Sequence, residues 1–429
     1  MDIYNLVSFA GIFLLIGFAW LLSSNKKNMN LRVICWGIGL QLLIALFIFV
    51  VPAGAKLFLV VNDAVVKVLD SASAGAKFVF GPLAETGEKS MGFILAFQAF
   101  PTIIFFSALI SILYYYGVMS LLIRGFAFIF TRLMRISGAE SLVTASNIFV
   151  GVEANLTVKP YLARMTRSEL CTVLTAGMAT VASNVLALYV FNLKEVFPMI
   201  AGHLVSASLL SAPAALAMSK IILPESETPD TLGIHVRPFY EKENNLFEAI
   251  INGANSGVKM IVGITALLIA ILGLVALVDL CLAALGTRVN PLLGIEGQWS
   301  LKSICGFIFY PFTLILGVPV SDAGTISQII GERLVVTEVV AYNDLAAALK
   351  ENLLHEPRSA VITTYALCGF AHLASMAIFV GGLCALAPEK IRNIGTVATR
   401  ALIAATLACL QTACVAGTFF TKGSILLGE

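Results

Sequence analysis

Residues 176–183 read Ala-Gly-Met-Ala-Thr-Val-Ala-Ser, and residues 368–375 read Cys-Gly-Phe-Ala-His-Leu-Ala-Ser. The two stretches are identical at four of eight positions, and an Arg-Ser pair begins ten and eleven residues before their glycines. Each stretch lies inside an apolar segment, where such a run of small residues predicts an interruption of a membrane-spanning helix. The pair therefore indicates an internal repeat with one broken helix in each copy.

The composition around these stretches is that of a membrane protein. Of the 429 residues 59% are apolar and 12% are charged, about half the roughly 25% charge of a soluble domain. Nine stretches without Asp, Glu, Lys or Arg reach or approach the roughly 20 residues that a helix needs to cross a bilayer. They are residues 3–25, 33–55, 90–123, 170–193, 197–219, 260–278, 303–321, 359–388 and 401–421. The sequence therefore predicts an all-α polytopic membrane protein.

The distribution of charge predicts the orientation and excludes one class of partner. A net charge of +2 without a basic block argues against binding of nucleic acid. Lys and Arg gather after the first span, before Glu153, around residues 220–242 and near residues 390–400. Under the positive-inside rule these segments are cytoplasmic, which places both termini outside if eight segments cross. Residues 56–80 contain Lys56, Lys67, Asp70 and Lys77 among apolar residues at helical spacing, which favours a helix lying in the interface.

Two glutamates interrupt otherwise uncharged stretches. Glu153 follows residues 141–152. Residues 303–321, which Pro311, Gly317 and Pro319 interrupt, form the second hairpin candidate and lead to Glu338. A carboxylate at the centre of a membrane costs at least about 2.5 kcal/mol and usually has a function. Re-entrant helical hairpins accommodate such residues, provided that their turns are buried in protein or face water. The alternative without a function is that each glutamate forms a buried salt bridge with a nearby Lys159 or Arg333.

The repeat has opposite orientations in its two copies. The charge pattern starts the first hairpin from the cytoplasm and the second from outside, which gives an inverted repeat. In such folds substrate and coupling ion bind near the midplane, where helices are interrupted. The polar loop 223–247 separates the two halves.

Four further polar residues lie at the predicted breaks and turns. Asn147 and Thr180 offer oxygen ligands for a small hard cation, although both types also join helices. His372 and Ser375 offer hydrogen bonds to a sugar hydroxyl, and His372 is also able to carry protons or simply to link helices. The sequence contains no phosphate-binding Gly-x-x-x-x-Gly-Lys-Ser/Thr motif, so we expect transport powered by an ion gradient.

Several motifs together resemble the concentrative nucleoside transporters, over nearly the whole chain and most densely from residue 140 onward. They are Asn147-Ile-Phe-Val-Gly-Val-Glu153, Lys159-Pro160-Tyr161, Ala201-Gly-His-Leu, Ser211-Ala-Pro-Ala-Ala-Leu, Gly317-Val-Pro-Val-Ser-Asp-Ala-Gly324, Glu338-Val-Val-Ala-Tyr342, Thr364-Tyr-Ala-Leu-Cys-Gly-Phe-Ala371, Gly381-Gly and Ala385-Leu-Ala-Pro388. The resemblance implies eight membrane helices, two oppositely oriented re-entrant hairpins, and a homotrimer with a scaffold and a moving transport domain. It also implies cation-coupled uptake of nucleosides by an elevator-like motion.

The resemblance implies a domain organisation in four parts. Residues 1–137 form scaffold helices and an interfacial helix, and residues 138–222 form the first transport repeat. Residues 223–299 hold the cytoplasmic loop, an interfacial helix and a scaffold helix, and residues 300–429 form the second repeat. The expected location is a bacterial-type inner membrane, with membrane lipid and a nucleoside as partners.

The resemblance also implies site residues. The Asn147 side chain, the Val150 carbonyl, the Thr180 hydroxyl and the Val181 carbonyl would bind sodium. The ribose would lie against Glu338 and Ser375, and the base would lie near Glu153 and Val185, with Phe370 beside it. The substrate residues are Val152, Glu153, Val185, Glu338, Phe370, His372 and Ser375.

The sequence departs from the family at three places. The first hairpin has Gly151-Val-Glu153 where the family has Gly-Gln-Thr-Glu, so an amide that reads the base is missing. His372-Leu373 replaces Asn-Phe in the second break, and Thr337 replaces the Asn before the second glutamate. Base preference is therefore open.

The prediction is a sodium-coupled nucleoside importer. The rival within transport is a proton-coupled carrier of nucleosides or nucleoside-like substrates, in which His372 or Glu153 titrates. A membrane-embedded enzyme that uses the glutamates as acid and base is a remote alternative, because no nucleophile or metal cluster accompanies them.

Overall fold

The computed structural model describes residues 2–85, 94–240, 243–293 and 299–422. The regular secondary structure of these ranges is helical, with one isolated bridge between Ser137 and Leu232 and no strand. The α-helices are α1 (Ile3–Leu21), α2 (Leu31–Phe49), α3 (Pro52–Phe80), α4 (Leu95–Gln98), α5 (Phe100–Tyr115), α6 (Val118–Met134), α7 (Gly138–Asn147), α8 (Arg167–Ala179), α9 (Ser183–Leu193), α10 (Ile200–Ile222), α11 (Leu246–Leu293), α12 (Leu301–Ile315), α13 (Val320–Val335), α14 (Glu338–Lys350), α15 (Pro357–Leu367), α16 (Leu373–Leu386) and α17 (Ile391–Thr418). Three 3₁₀ helices cover Gly81–Ala84, Val152–Arg164 and Pro388–Lys390.

Seven helical segments of the described ranges are long and apolar enough to cross a membrane, and α8 with α9 counts as one of them. The pair α15 and α16, interrupted at residues 368–372, has the same broken form and supplies an eighth. The predicted fold class, an all-α polytopic membrane protein with re-entrant hairpins in an inverted repeat, is confirmed.

Both predicted helix breaks are present. Helix α8 ends at Ala179, Thr180 is extended (φ −110°, ψ 165°), and α9 begins three residues later. In the second repeat α15 ends one residue before Cys368, which is also extended (φ −66°, ψ 103°). Gly369 follows at φ +133°, and a Cβ there would lie 2.7 Å from the carbonyl oxygen of Ala179. Only glycine combines this dihedral angle with this close approach, so the two breaks meet because the repeat keeps its glycine.

Each break is preceded by a hairpin. Helix α7, the turn at residues 148–151 and the 3₁₀ helix Val152–Arg164 form hairpin 1, and α13 and α14 form hairpin 2. Hairpin 2 does not begin where the breaker pattern of residues 303–321 suggested. That window holds α12 and a turn at Gly317 (φ +82°), whereas hairpin 2 turns at residues 336–337. Glu338 is thus the first residue after the turn.

Local capping fixes where the helices of the first repeat start. The Ser137 hydroxyl accepts from the Glu140 N–H while the Glu140 carboxylate accepts from the Ser137 N–H, and Thr166 and Glu169 repeat this arrangement. Such reciprocal boxes satisfy two N–H groups that a helix start leaves unpaired.

The helices pack into two groups. Helix α1 packs mainly against α17 and α2 against α10, whereas α5 packs mainly against α11. Most residues of α8, α10 and α17 are buried within the protein. In α11 only 6% of the residues in its most apolar stretch are buried. The sequence predicted an interfacial helix followed by a scaffold helix here, and the structure has instead one helix of 48 residues. At 1.5 Å per residue it is about 70 Å long, more than twice the hydrocarbon core.

A buried arginine joins the chain ends to hairpin 2. Arg358, 2% exposed, donates from Nε to the Gly317 carbonyl at 2.8 Å and from Nη1 to Asn5 Oδ1 at 2.6 Å. Its Nη2 group also lies within hydrogen-bonding distance of acceptors in α1 and of the Gly417 carbonyl in α17. One guanidinium thus holds α1, α17 and the start of α13 together.

We expect Arg358→Met to lower the free energy of unfolding by about 3 kcal/mol or more, because several buried acceptors lose their donor. The measurement is thermal unfolding of the purified protein in detergent. Arg392→Met, at an exposed position of α17, is the matched control and is expected to unfold at the wild-type temperature. Equal unfolding temperatures for both variants would contradict the assignment.

Candidate functional site

The carboxyl group of Glu338 lies in the first turn of α14, where the helix dipole favours a negative charge. The residue is 4% exposed. Tyr189 donates from Oη to Oε1 at 2.6 Å. The other oxygen, Oε2, lies 2.6 Å from His372 Nε2 but accepts no hydrogen bond of adequate geometry from any described residue. A buried carboxylate oxygen with open acceptor capacity is suited to a ligand that donates.

His372 caps α16 and faces Glu338. Its Nδ1 accepts from the Ser375 N–H at 3.2 Å, so the neutral ring carries its hydrogen on Nε2. Nε2 lies 2.7 Å from Ser375 Oγ, beside Glu338. The structure therefore brings together three residues that the sequence singled out. Glu338 lies at the start of α14, and His372 and Ser375 lie at the start of α16.

Tyr189 is a residue of this cluster that sequence reasoning missed. It is fully buried in α9, and its ring stacks on that of Tyr342 in α14 with centroids 4.4 Å apart. It follows Val185 by four residues, so the two share one face of α9. The four-residue spacing from Val185, a predicted substrate residue, is the sequence feature that could have identified Tyr189.

Glu153 lies at the start of the second half of hairpin 1 and is half-buried. It forms no ion pair or hydrogen bond with the side chain of another described residue. Neither glutamate forms the alternative salt bridge with Lys159 or Arg333. Lys159 lies over the ring of Phe239 at 5.9 Å, and Arg333 donates to the Ala366 carbonyl.

The remaining predicted substrate residues occupy the surrounding elements. Val152 packs against α16, since a Cβ at Gly382 would lie 2.9 Å from its Cγ2 atom. Val185 is buried in α9, and Phe370 is half-buried in the second break. Hairpin 1 thus contacts the helix that carries His372 and Ser375.

The predicted cation ligands lie at the turn of hairpin 1 and at the first break. Asn147 is fully buried; its Nδ2 donates to the Val143 carbonyl at 2.9 Å, while Oδ1 has no hydrogen-bond partner among the described residues. Ser183 N donates to the Phe149 carbonyl at 3.1 Å, which joins the turn to the break. Thr180 Oγ1 donates to the Ala176 carbonyl at 2.8 Å, so the lone pairs of this hydroxyl oxygen stay free to coordinate a cation.

The two predicted carbonyl ligands are also open. No backbone N–H of the described ranges outside the helices donates to the carbonyls of Val150 or Val181. The donor set consists of neutral oxygens, which fits a small hard cation.

Asn155 follows Glu153 by two residues and is a further polar residue of hairpin 1. It is 1% exposed, and neither Oδ1 nor Nδ2 has a hydrogen-bond partner among the described residues. Buried polar atoms normally find partners, so this side chain is a further candidate for contact with a polar ligand.

The cluster is closed in this conformation. Glu338, His372, Ser375 and Tyr189 are each no more than 5% exposed. A solute therefore reaches Glu338 only after a movement of the surrounding helices.

Comparison with known families gives three matches along the chain. The family described as Na+ dependent nucleoside transporter C-terminus matches residues 203–417, and its N-terminal counterpart matches residues 10–83. A family described as nucleoside recognition matches residues 96–196.

Similar proteins include solute carrier family 28 member 3 of Mus musculus, 38% identical over 96% of this chain and 58% of that protein. The sodium/nucleoside cotransporter 1 of Rattus norvegicus is 36% identical over 98% of this chain and 65% of its own length. The chain therefore spans less than two thirds of these mammalian relatives. An uncharacterized transporter of Haemophilus influenzae is 37% identical over 98% of this chain and 99% of its own length.

Solved structures of CNTnw share the fold. CNTnw in an inward-facing substrate-bound state has a TM-score of 0.88 and 33% identity, over 97% of this chain and 98% of that one. A double variant of CNTnw in an outward-facing state has a TM-score of 0.89 and 33% identity, over 98% of both chains.

Proposed function

The chain belongs to the Na+-dependent nucleoside transporter family, and from this premise we propose that it is a symporter that imports a nucleoside with sodium. Its relatives are transporters, not enzymes. The observation that carries the proposal is the buried Glu338 carboxylate, with one oxygen open beside His372 and Ser375.

The sugar would bind at this cluster. A ribose hydroxyl donates to Glu338 Oε2, and such a charge-assisted hydrogen bond is about twice as strong as a neutral one. The same hydroxyl oxygen is able to accept from His372 Nε2 or Ser375 Oγ. Neutral His372 offers one donor here, since its Nδ1 is used in capping α16.

The base would lie on the side of hairpin 1. Val152, Glu153, Val185 and Phe370 are the residues proposed to surround it. Val152 stands where the family has an amide, so fewer hydrogen bonds distinguish pyrimidine from purine. Glu153, when ionised, supplies acceptors but no donor.

Sodium would bind at the first break. Asn147 Oδ1, the Thr180 hydroxyl and the carbonyls of Val150 and Val181 are the proposed ligands. Their open acceptor capacity supports this assignment, and a cation at the carbonyl end of α8 is favoured by the helix dipole.

The proposed mechanism is an elevator-like movement in a homotrimer of a bacterial-type inner membrane. The packing supports a domain boundary that differs from the one the resemblance implies. Because α1 and α2 pack against α17 and α10, we place them with the moving transport unit, and assign α5 and α11 to the scaffold. The apolar surface that α11 leaves exposed suits contact with lipid and with the other subunits.

A proton-coupled carrier is the second candidate, and one observation favours it. His372 Nε2 lies 2.6 Å from a Glu338 oxygen, so a proton taken up by this pair would change the charge of the sugar site.

Uptake of radiolabelled uridine and adenosine into proteoliposomes tests the proposal. With an inward sodium gradient and equal pH on both sides, we expect accumulation of at least one of these nucleosides. With a pH gradient and choline in place of sodium, we expect uptake no greater than in empty liposomes. Full uptake under the second condition would replace sodium with the proton.

Tyr189→Phe is expected to weaken nucleoside binding about tenfold, because Glu338 Oε1 loses its buried donor and turns toward His372. Equilibrium binding of uridine to the purified variant measures the effect. Tyr115→Phe, at an exposed position of α5, is the control with wild-type affinity. Wild-type affinity in the Tyr189 variant would exclude it from the site.

A further inference from the structure

A second buried arginine stands near the end of α13 without a carboxylate partner. Arg333 is fully buried, and its Nη1 donates to the Ala366 carbonyl at 2.6 Å. Its Nε and Nη2 atoms have no hydrogen-bond partner among the described residues. The nearby acids in sequence interact with other residues: Glu332 forms an ion pair with Lys302, and Glu338 lies against Tyr189 and His372. A buried cation needs compensation from another source.

The compensation comes from helix ends. Ala366 is the penultimate residue of α15, so the guanidinium lies at the negative end of that helix dipole. Cys409 in α17, which interacts with Arg333, donates to the Cys368 carbonyl at 3.0 Å and lies 3.7 Å from the Ala179 carbonyl. The carbonyl end of α15 thus accepts from the guanidinium, and the carbonyl end of α8 lies against Cys409, a neighbour of Arg333.

The position of Arg333 in the second repeat corresponds to that of Asn147 in the first, because each lies at or near the end of the first helix of its hairpin. In the first repeat, Asn147 ends the first hairpin helix with an open oxygen, close to the break after α8, where a mobile cation is proposed. In the second repeat, Arg333 near the end of the corresponding helix brings a positive charge to the end of α15. One repeat has an open acceptor, and the other has a built-in cation.

We propose that Arg333 is a tethered cation, which takes in the second repeat the place that a mobile sodium ion takes in the first. This inference rests on the sodium coupling proposed above. An anion bound to the open N–H groups is the less favourable reading, because it would lie against the negative ends of two helices. The tethered cation leaves the protein with one mobile sodium ion per transport unit.

Arg333→Asn tests the inference, since it puts at this position the residue type that ends α7 in the first repeat. The readout is the dependence of uridine binding on sodium concentration in purified protein at constant ionic strength. For the wild type and for Arg333→Lys we expect a hyperbolic curve with a Hill coefficient of about 1. For Arg333→Asn we expect a coefficient of about 1.5 or more and, at low sodium, affinity about tenfold weaker. Arg392→Asn, exposed in α17, is the control for loss of an arginine.

The outcomes separate this inference from the proposed function. Uridine binding by the wild type that is independent of sodium would remove the sodium coupling itself. A sodium-dependent wild type with an unchanged curve in Arg333→Asn would overturn only the tethered cation. If the Asn variant is purified folded in sodium but aggregates in choline, a mobile ion replaces the guanidinium and the inference stands. Failure of both Arg333→Asn and Arg333→Gln to fold in high sodium would overturn it.

Discussion

Replacement of Glu338 by glutamine is expected to weaken nucleoside binding at least 100-fold, which corresponds to about 3 kcal/mol. Glutamine keeps the size of the side chain but turns one acceptor into an NH₂ group. The NH₂ group would meet another donor at either position. Tyr189 Oη donates at the position of Oε1, and His372 Nε2–H lies beside the position of Oε2. The sugar hydroxyl then loses a charge-assisted acceptor, and buried donors lose a partner.

The measurement is equilibrium binding of uridine to purified Glu338→Gln, with Glu351→Gln as the matched control. Glu351 directly follows α14 and is exposed, so its variant is expected to bind as the wild type does. Circular dichroism and size-exclusion elution identify any loss of fold. A folded Glu338→Gln protein with wild-type affinity would place the sugar elsewhere.

Removal of the Asn147 side chain is expected to raise the sodium concentration for half-maximal uridine binding at least about tenfold. Asn147→Ala deletes the open Oδ1 oxygen and leaves the other proposed ligands in place. A cation bound by fewer neutral oxygens is held less tightly, and the substrate site linked to it is occupied only at higher sodium.

Two variants make this result specific to the cation. Thr180→Val, which removes a hydroxyl and keeps the shape, is expected to shift the sodium curve in the same direction. Asn393→Ala, in α17, is expected to leave it unchanged. If Asn147→Ala lowers uridine affinity equally at every sodium concentration, Asn147 serves the substrate or the fold and not the ion.

The helix breaks were predictable because they depend on local sequence. A glycine among small residues marks each interruption, and Gly369 is needed where the two breaks meet. The glutamates were predictable as well, since charge in an apolar stretch is costly without a role. Glu338 lies in such a position, buried in the first turn after the hairpin turn.

Other features depend on contacts between distant parts of the chain. Tyr189 reaches Glu338 across 149 positions, and Arg358 binds Asn5 across 353. The start of hairpin 2 was misplaced, because Pro311 interrupts the apolar pattern yet lies inside α12. No local sequence feature indicates that residues 246–293 form the single helix α11. Sequence periodicity indicates helices, but it does not indicate which buried polar groups meet.

The central claim is that a cation and a nucleoside occupy one coupled site between two inverted repeats. Calorimetric titration of the purified protein with uridine and with adenosine, in sodium chloride and in choline chloride of equal ionic strength, tests it most directly. We expect at least one of the nucleosides to bind in sodium and to bind at least about tenfold more weakly in choline. Equal affinities in the two salts, or no binding of either nucleoside in sodium, would contradict the claim.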